Sequence, residues 1–329
     1  MMISLEQLSA IAARTGFQSA TIERVVRLMD IMDRLGADEV IGPVVALKGG
    51  TALNLYHLDL ARLSVDIDLN YIGSPDRDKS LADKDLLDRR IPALLAQHGY
   101  HAQRIPAGEH AGGKWRFRYK SAFERQGTLE IDVNYMYRAP FFGTQTLDSV
   151  RLGDFQSTST RCVDLHELVG GKLTALHNRR ATRDVFDAWR LSKRTDIDWA
   201  KVKNAMVVMG GSARDGDWRQ ASIEAYDFDL NELNGKLITC VPAHVLEGRS
   251  AADWCDQIVA ETKAALGHLY TVTDDQRAFL DALYDEGRID ASLLDADDDF
   301  RSRVELFPAL RWKAMNVANH LQSHAEPRM

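Results

Sequence analysis

Hydrophobic positions along the chain change period several times, and each change predicts a change of element. Ser4-Leu5-Glu6-Gln7 has the form of a capping box, which predicts a helix to about Arg14, ended by Gly16. Ile22, Val25, Val26, Met29 and Met32 recur at helical spacing, so a second amphipathic helix is expected over residues 19–35. Val44-Val45-Ala46-Leu47 is a short apolar run that ends at Gly49-Gly50, as a buried strand does. A short helix should follow the glycines. In Val65-Asp66-Ile67-Asp68-Leu69 the two acids then alternate with apolar residues, so Asp66 and Asp68 share one face of a strand. Gly73-Ser74-Pro75 breaks the chain; a helix over 84–97, kinked at Pro92 and stopped by Gly99, and a strand over 100–105 are expected next.

Two longer alternating runs come after. Lys114, Arg116, Arg118 and Lys120 fall on one face of a strand whose other face is Trp115, Phe117 and Tyr119. The basic row is either a solvated edge or a surface for polynucleotide phosphates. From Gly127, Leu129, Ile131 and Val133 alternate with Glu130, Asp132 and Asn134. Residues 149–160 are polar and irregular, and beyond them the pattern is mostly helical. One helix begins at Asp164-Leu165-His166-Glu167 and runs through Lys172 to Leu176; the next contains Arg179, Arg183, Asp184 and Asp187. Helices over 199–209, 251–269, 274–285 and 300–321 are expected, the last interrupted near Pro308, while 230–241 fits no single period. The outcome is an α/β (α+β) chain: a mixed sheet flanked by helices over 1–158, then a mostly helical domain over 159–329.

Composition narrows the class. The 329 residues are 45% hydrophobic and 27% charged, as in a globular protein, with no apolar run long enough to span a bilayer. The opening residues lack the basic and apolar segments of a secretory signal. Cys162, Cys240 and Cys255 form no Cys-x-x-Cys pair and are odd in number, which points to a reducing cytoplasm and no structural zinc. A net charge of −7 argues mildly against non-specific nucleic-acid binding and leaves room for a local basic face. His98 with His101, and His320 with His324, have metal-like spacing without further ligands and are read as structural.

The chemistry lies around Lys48-Gly49-Gly50-Thr51. Glycine permits close backbone approach to a phosphate, and Thr51 is placed to cap a helix whose free N–H groups would attract an anion. Two carboxylates on one face, Asp66 and Asp68, repel unless a cation lies between them, and such hard ligands suit Mg²⁺ (or Mn²⁺). Asp132 on a neighbouring strand is the candidate third acid, with Glu130 the alternative. Lys172 is either a surface lysine or a point charge for phosphate; Asp184 and Asp187 either orient it or form ordinary ion pairs.

These residues carry a resemblance. Gly49-Gly50 followed by Asp66-x-Asp68 resembles the signature of the DNA polymerase β-like nucleotidyltransferase superfamily. The fuller strings Lys48-Gly49-Gly50-Thr51-Ala52-Leu53 and Arg62-x-Ser64-x-Asp66-Ile67-Asp68-Leu69, with Lys172, Arg179, Arg183, Asp184 and Asp187 later, are similar to the AbiEii/AbiGii toxin family over about residues 44–191. The resemblance implies a minimal nucleotidyltransferase sheet and transfer of a nucleotide from an NTP to RNA, the 3′ end of tRNA being the expected acceptor. It implies metal at Asp66, Asp68 and Asp132, catalysis by these with Lys172 and Asp187, and nucleotide contacts from Lys48, Gly49, Gly50, Thr51, Ser64, Lys172, Arg179 and Arg183. Ser64 would lie at the mouth of the site, where phosphorylation would repel NTP. A cognate antitoxin protein is the implied partner. The competing readings keep the site but change the acceptor to a protein or small molecule, or make the chain a nucleotide-binding regulator without catalysis.

Overall fold

A computed structural model of the chain describes residues 3–106, 112–123, 126–214, 216–224, 226 and 228–325. Its strands are β1 (Val45–Lys48), β2 (Asp66–Tyr71), β3 (His101–Arg104), β4 (Gly112–Lys120), β5 (Gln126–Asn134), β6 (Thr144–Leu147) and β7 (Thr160–Val163). They form one mixed sheet in the order β3-β4-β5-β2-β1-β7-β6. β2 runs antiparallel to β1 and parallel to β5, β4 is antiparallel to β5, and β7 is parallel to β1.

The alternation in the sequence decides which side of this sheet is core. Ile67, Leu69 and Tyr71 of β2, Leu129, Ile131 and Val133 of β5, and Trp115 and Phe117 of β4 are all fully buried. Each such side chain stabilises the fold by roughly 1.5–3 kcal/mol. A one-residue slip of β2 would bury Asp66 and Asp68 in their place, so the register is strongly specified. Two helices, α2 (Ser19–Ala37) and α4 (Arg77–Ala96), pack together on the apolar face. The preceding helix α1 (Leu5–Thr15) has the expected capping box between Ser4 and Gln7 and ends at Gly16, with φ +74°. α4 starts earlier than the sequence pattern predicts, because Asp76 caps it by accepting the Lys79 N–H at 2.8 Å; its first turns are too polar to show a period.

The acid face is covered differently. Helix α3 (Gly49–Tyr56) follows β1 directly and packs on β1, β2 and α5 (Leu165–Arg179). α5 in turn packs on α6 (Thr182–Ser192) and α7 (Trp199–Gly211), so it links the sheet to the helical half. The division expected at 158/159 falls just before β7, whose Cys162 pairs with Leu47 of β1; both sides of it share one sheet. Further on come a one-turn α8 (Leu230–Glu232), α9 (Ala251–Leu266), α10 (Asp274–Asp285), α11 (Asp298–Glu305) and α12 (Pro308–Ala325). Pro308 opens α12, where its missing N–H costs nothing. Between α8 and α9 the chain passes through a π turn and then a 3₁₀ turn, which explains why 230–241 shows no single period. The Leu63 N–H donates to the Cys240 carbonyl at 2.7 Å, tying this segment to the approach to β2. All three cysteines are buried free thiols. No helix among the described residues is long and apolar enough to cross a membrane.

Candidate active site

The turn from β1 into α3 is built on two glycines with different tasks. Gly49 has φ +73°, and a Cβ there would lie 2.6 Å from Asp68 Oδ2. Gly50 has no room either: a Cβ would lie 2.7 Å from Arg62 Nη2 and 3.2 Å from Ser64 Oγ. The left-handed Gly49 lets the chain pass from strand to helix without a loop, so Lys48, not Thr51, is the N-cap residue. Thr51 is fully buried, and its hydroxyl donates to the Asp66 carbonyl at 2.5 Å, fastening the helix start to the acid strand. Ser64 is buried against this turn, so the exposed position expected for it at the mouth of the site is not where it lies.

Register places the acids. Asp68 stands opposite Lys48 on one side and Asp132 on the other, and Asp132 stands opposite Lys114. Asp66, two residues earlier on the same face, is opposite Glu130. Glu130 is engaged by the basic strand: Lys114 Nζ lies 2.7 Å from Oε2 and Arg116 Nη2 2.6 Å from Oε1. These cations hold the Glu130 carboxyl below its ordinary range, and Glu130 raises Lys114 in return. Glu130 therefore serves its neighbours, and half of the expected basic row is neutralised; Arg118 and Lys120 remain exposed. Burial first, and then the Asp68 charge, pushes the Asp66 carboxyl up, against the pull of Arg183 and Arg24.

A cavity of about 440 Å³ opens over this row. Asp68, Asp132 and Asn70 form its sheet side, Lys48 and the two glycines one end, and Lys172 and Arg179 the facing helix. Asp66, Ser64 and Arg183 do not line it. Among the described residues no three acids, histidines or cysteines stand close enough to enclose a cation by themselves, so the convergent three-acid centre expected from sequence is not preassembled. The donor set nevertheless fits Mg²⁺, which binds through one or two carboxylates and takes its remaining ligands from water and phosphate. The mutual repulsion of Asp66 and Asp68 is the charge that such an ion would relieve.

Behind the cavity lies an ion-pair network. Asp187 is fully buried and accepts from Arg62 Nε at 2.8 Å and Nη2 at 2.6 Å, from Asn54 Nδ2 at 3.1 Å, and pairs with Lys172 Nζ at 2.9 Å. Lys172 also pairs with Asp184 at 2.8 Å, and Arg179 clamps Asp184 through Nε and Nη2. Burial works to raise the Asp187 carboxyl, but Arg62 and Lys172 outweigh it and hold it below the usual carboxylate range; Lys172 and Arg179 do the same for Asp184. Lys172 is thus not an ordinary surface lysine. It is held at the cavity wall by two acids, one of which, Asp187, also holds Arg62.

Sequence reasoning missed two residues. Asn70 is buried at the cavity with its Oδ1 unpartnered, and it continues the Asp66-x-Asp68 alternation by two more positions. Glu167, in the first turn of α5, also borders the cavity; burial pushes its carboxyl up to about 8, Oε2 accepts the Phe142 N–H, and Oε1 has no partner. His98 and His101 join no metal-like cluster among the described residues, and the side chain of His324 lies outside them.

No curated protein matches the chain. Among solved structures, the chain is similar to MenT4, a nucleotidyltransferase toxin from Mycobacterium tuberculosis H37Rv, with a TM-score of 0.60 and 17% identity, over 94% of this chain and 99% of that one. At that identity the likeness is one of fold. The family described as "Nucleotidyl transferase AbiEii toxin, Type IV TA system" matches residues 30–257, which include the glycine turn, the acid strands and the α5–α6 network. The chain belongs to the AbiEii nucleotidyl transferase toxin family, and it is a nucleotidyltransferase.

Proposed function

We propose that the chain transfers a nucleoside monophosphate from an NTP to the 3′ end of an RNA, tRNA in particular, under the control of a cognate antitoxin protein in the cytoplasm. The observation that carries this reading is the cavity of about 440 Å³ in which the Asp68–Asp132 row faces Lys48, Lys172 and Arg179 across the start of α3. Cations and free helix-start N–H groups on one side suit a triphosphate; carboxylates on the other suit a hydroxyl that must lose a proton. The acceptor oxygen attacks the α-phosphorus, the bond to the bridging oxygen breaks, and pyrophosphate leaves. Asp132 holds the acceptor hydroxyl and receives its proton. Lys48, Lys172 and Arg179 hold the phosphates, and Asp184 and Asp187 keep Lys172 and Arg62 in place. Asp68 and Asp132, which line the cavity, would hold Mg²⁺ or Mn²⁺ there, with Asp66 on the same strand face as the further acid; the ion would offset phosphate charge and make the hydroxyl more acidic.

The test is transfer of label from an α-labelled NTP to total tRNA. Asp68→Asn, which leaves the fold intact by circular dichroism, is expected to lower transfer at least about a hundredfold, in the range of a misplaced or missing catalytic group. Undiminished transfer by that variant would remove the acid row from the chemistry, and label appearing only on protein would replace RNA as the acceptor.

A further inference from the structure

The cavity over the acid row changes character along its length. Lys48, Asp68, Asp132, Lys172 and Arg179 make one part of its wall densely charged. One row further along the parallel pair β2 and β5, Asn70 stands opposite Asn134, so two carboxamides follow two carboxylates on the same sheet face. On the facing helix, about one turn before Lys172, Glu167 and Leu168 border the cavity, and Tyr137 and Met209 add to this second part of the wall.

Two polar groups in this part lack partners. Asn70 is 2% exposed and Glu167 1% exposed, yet the Asn70 Oδ1 and the Glu167 Oε1 have no hydrogen-bond partner among the described residues. Buried atoms of this kind carry their full desolvation penalty until a ligand meets them. The frame around them is fixed. The Asn134 Oδ1 accepts the Met136 and Tyr137 N–H groups at 2.8 and 2.9 Å, and the Glu167 Oε2 accepts the Phe142 N–H at 3.3 Å. Between these two anchors the chain packs on Phe307, whose ring centre lies 5.1 Å from that of Tyr137 and 4.9 Å from that of Phe141. One short segment thus ties the carboxamide row of the sheet to the first turn of α5. Because Oε2 already meets a donor, a proton on Glu167 sits on Oε1, and burial, which pushes this carboxyl up to about 8, keeps it there at neutral pH. An acceptor and a donor are therefore left open at the part of the cavity away from the phosphate-binding cations. Cytosine and adenine present the complementary pair, an exocyclic amino group beside a bare ring nitrogen. Uracil and guanine present the reverse, a carbonyl beside a ring N–H.

We infer that this part of the cavity receives the base of the NTP and that Asn70 and Glu167 select it: the Asn70 Oδ1 accepts from the exocyclic amino group and the Glu167 Oε1–H donates to the neighbouring ring nitrogen, so the enzyme takes CTP or ATP in preference to UTP or GTP. This rests on the reading of the cavity as the NTP site and names its donor substrate. Leu168, Met209 and Tyr137 supply apolar surface for the base, and the phosphates run back toward Lys48, Lys172 and Arg179.

The experiment offers the four α-labelled NTPs one at a time to the full chain with tRNA. Wild type is expected to favour CTP over UTP, and ATP over GTP, by at least about tenfold in kcat/KM, as buried groups left unpaired by the wrong substrate discriminate against it. Asn70→Ala and Glu167→Leu should each bring both ratios below about threefold, through loss on the preferred nucleotide. Glu167→Gln, whose amide N–H can stand in for the acid O–H, should keep most of the preference. A wild type that is indifferent, or that prefers UTP or GTP, overturns the assignment. So does a proportionate loss on all four NTPs in Asn70→Ala and Glu167→Leu, which is what a merely structural role produces, and so does a preference that follows the last base of the acceptor instead of the NTP. If the wild type labels no RNA, thermal stabilisation by each unlabelled NTP with Mg²⁺ still reads the pocket: stronger stabilisation by CTP and ATP keeps the base assignment while the RNA reading falls, and equal stabilisation by all four overturns it.

Discussion

Asp187 offers the sharpest test of what holds the site together. Substituting Asp187→Asn removes one charge with little change of shape. Arg62 is 2% exposed, points both forks at Asp187, and cannot give up its proton. It would remain a buried charge without its counter-ion, whereas Lys172 would keep Asp184. Breaking one side of a buried pair costs about 3–5 kcal/mol. In a chain of this size that corresponds to a fall in Tm of roughly 4–7 °C. Replacing both partners, Arg62→Met with Asp187→Leu, should recover much of the loss, because two apolar groups leave no charge stranded. The pH dependence fixes the mechanism. The folded-state pKa of Asp187 is depressed, so its contribution is present above its ordinary value near 3.8 and is lost as pH falls below it. The stability gap between wild type and Asp187→Asn should narrow by about 1 kcal/mol between pH 5 and pH 3, as followed by urea unfolding. A gap under about 1 kcal/mol at pH 7, or one that does not narrow in acid, refutes the account.

Two further substitutions probe the cavity. Gly49→Ala places a methyl against Asp68 Oδ2 at a left-handed position; it is expected to cost about 1–2 kcal/mol in stability and, by displacing Asp68, at least tenfold in kcat, read in the label-transfer assay, and wild-type turnover would show the glycine dispensable. Glu167→Gln addresses the carboxyl raised to about 8 by burial. A raised acid favours the folded state most below its ordinary value near 4.5 and loses that advantage as pH rises to about 8. The amide does not titrate, so the variant should gain on wild type from pH 5 to pH 8, by at most roughly 3–4 kcal/mol, and then level off in thermal melts; parallel melting curves across that range would exclude a proton held on Glu167.

The parts that sequence made visible are those whose physics is local. Strict alternation put Trp115, Phe117 and Tyr119 against Lys114 and Arg116, and put Asp132 on the face opposite Ile131 and Val133; the structure keeps both assignments because a strand has no other way to bury its apolar half. Capping by Ser4 and Asp164 was equally readable, since a cap acts within three residues. Pairing across strands was not. That Glu130 answers Lys114 and Arg116 depends on the register of β4 against β5, which neither run specifies alone.

Arg62 shows where a local argument reaches its limit. Extending the alternation of Asp66 and Asp68 backwards places Ser64 and Arg62 on the same face, pointing at the nucleotide. The strand, however, begins at Asp66, and residues 62–65 follow a different path. Arg62 turns inward to a carboxylate 125 residues away, and its guanidinium fills the space that a side chain on Gly50 would need. The second glycine is therefore required by the arginine as well as by any phosphate, and the arginine by Asp187. A glycine turn, an arginine and a distant helix acid form one unit whose members carry no mark of one another in sequence. Asn54 completes it, accepting the Arg62 N–H through its Oδ1 while its Nδ2 donates to Asp187 and to the Gly50 carbonyl. Through that unit the helical half fixes the shape of the turn against which Asp68 is aligned, so a disturbance in α6 is passed to the Gly49–Gly50 turn through Asp187 and Arg62.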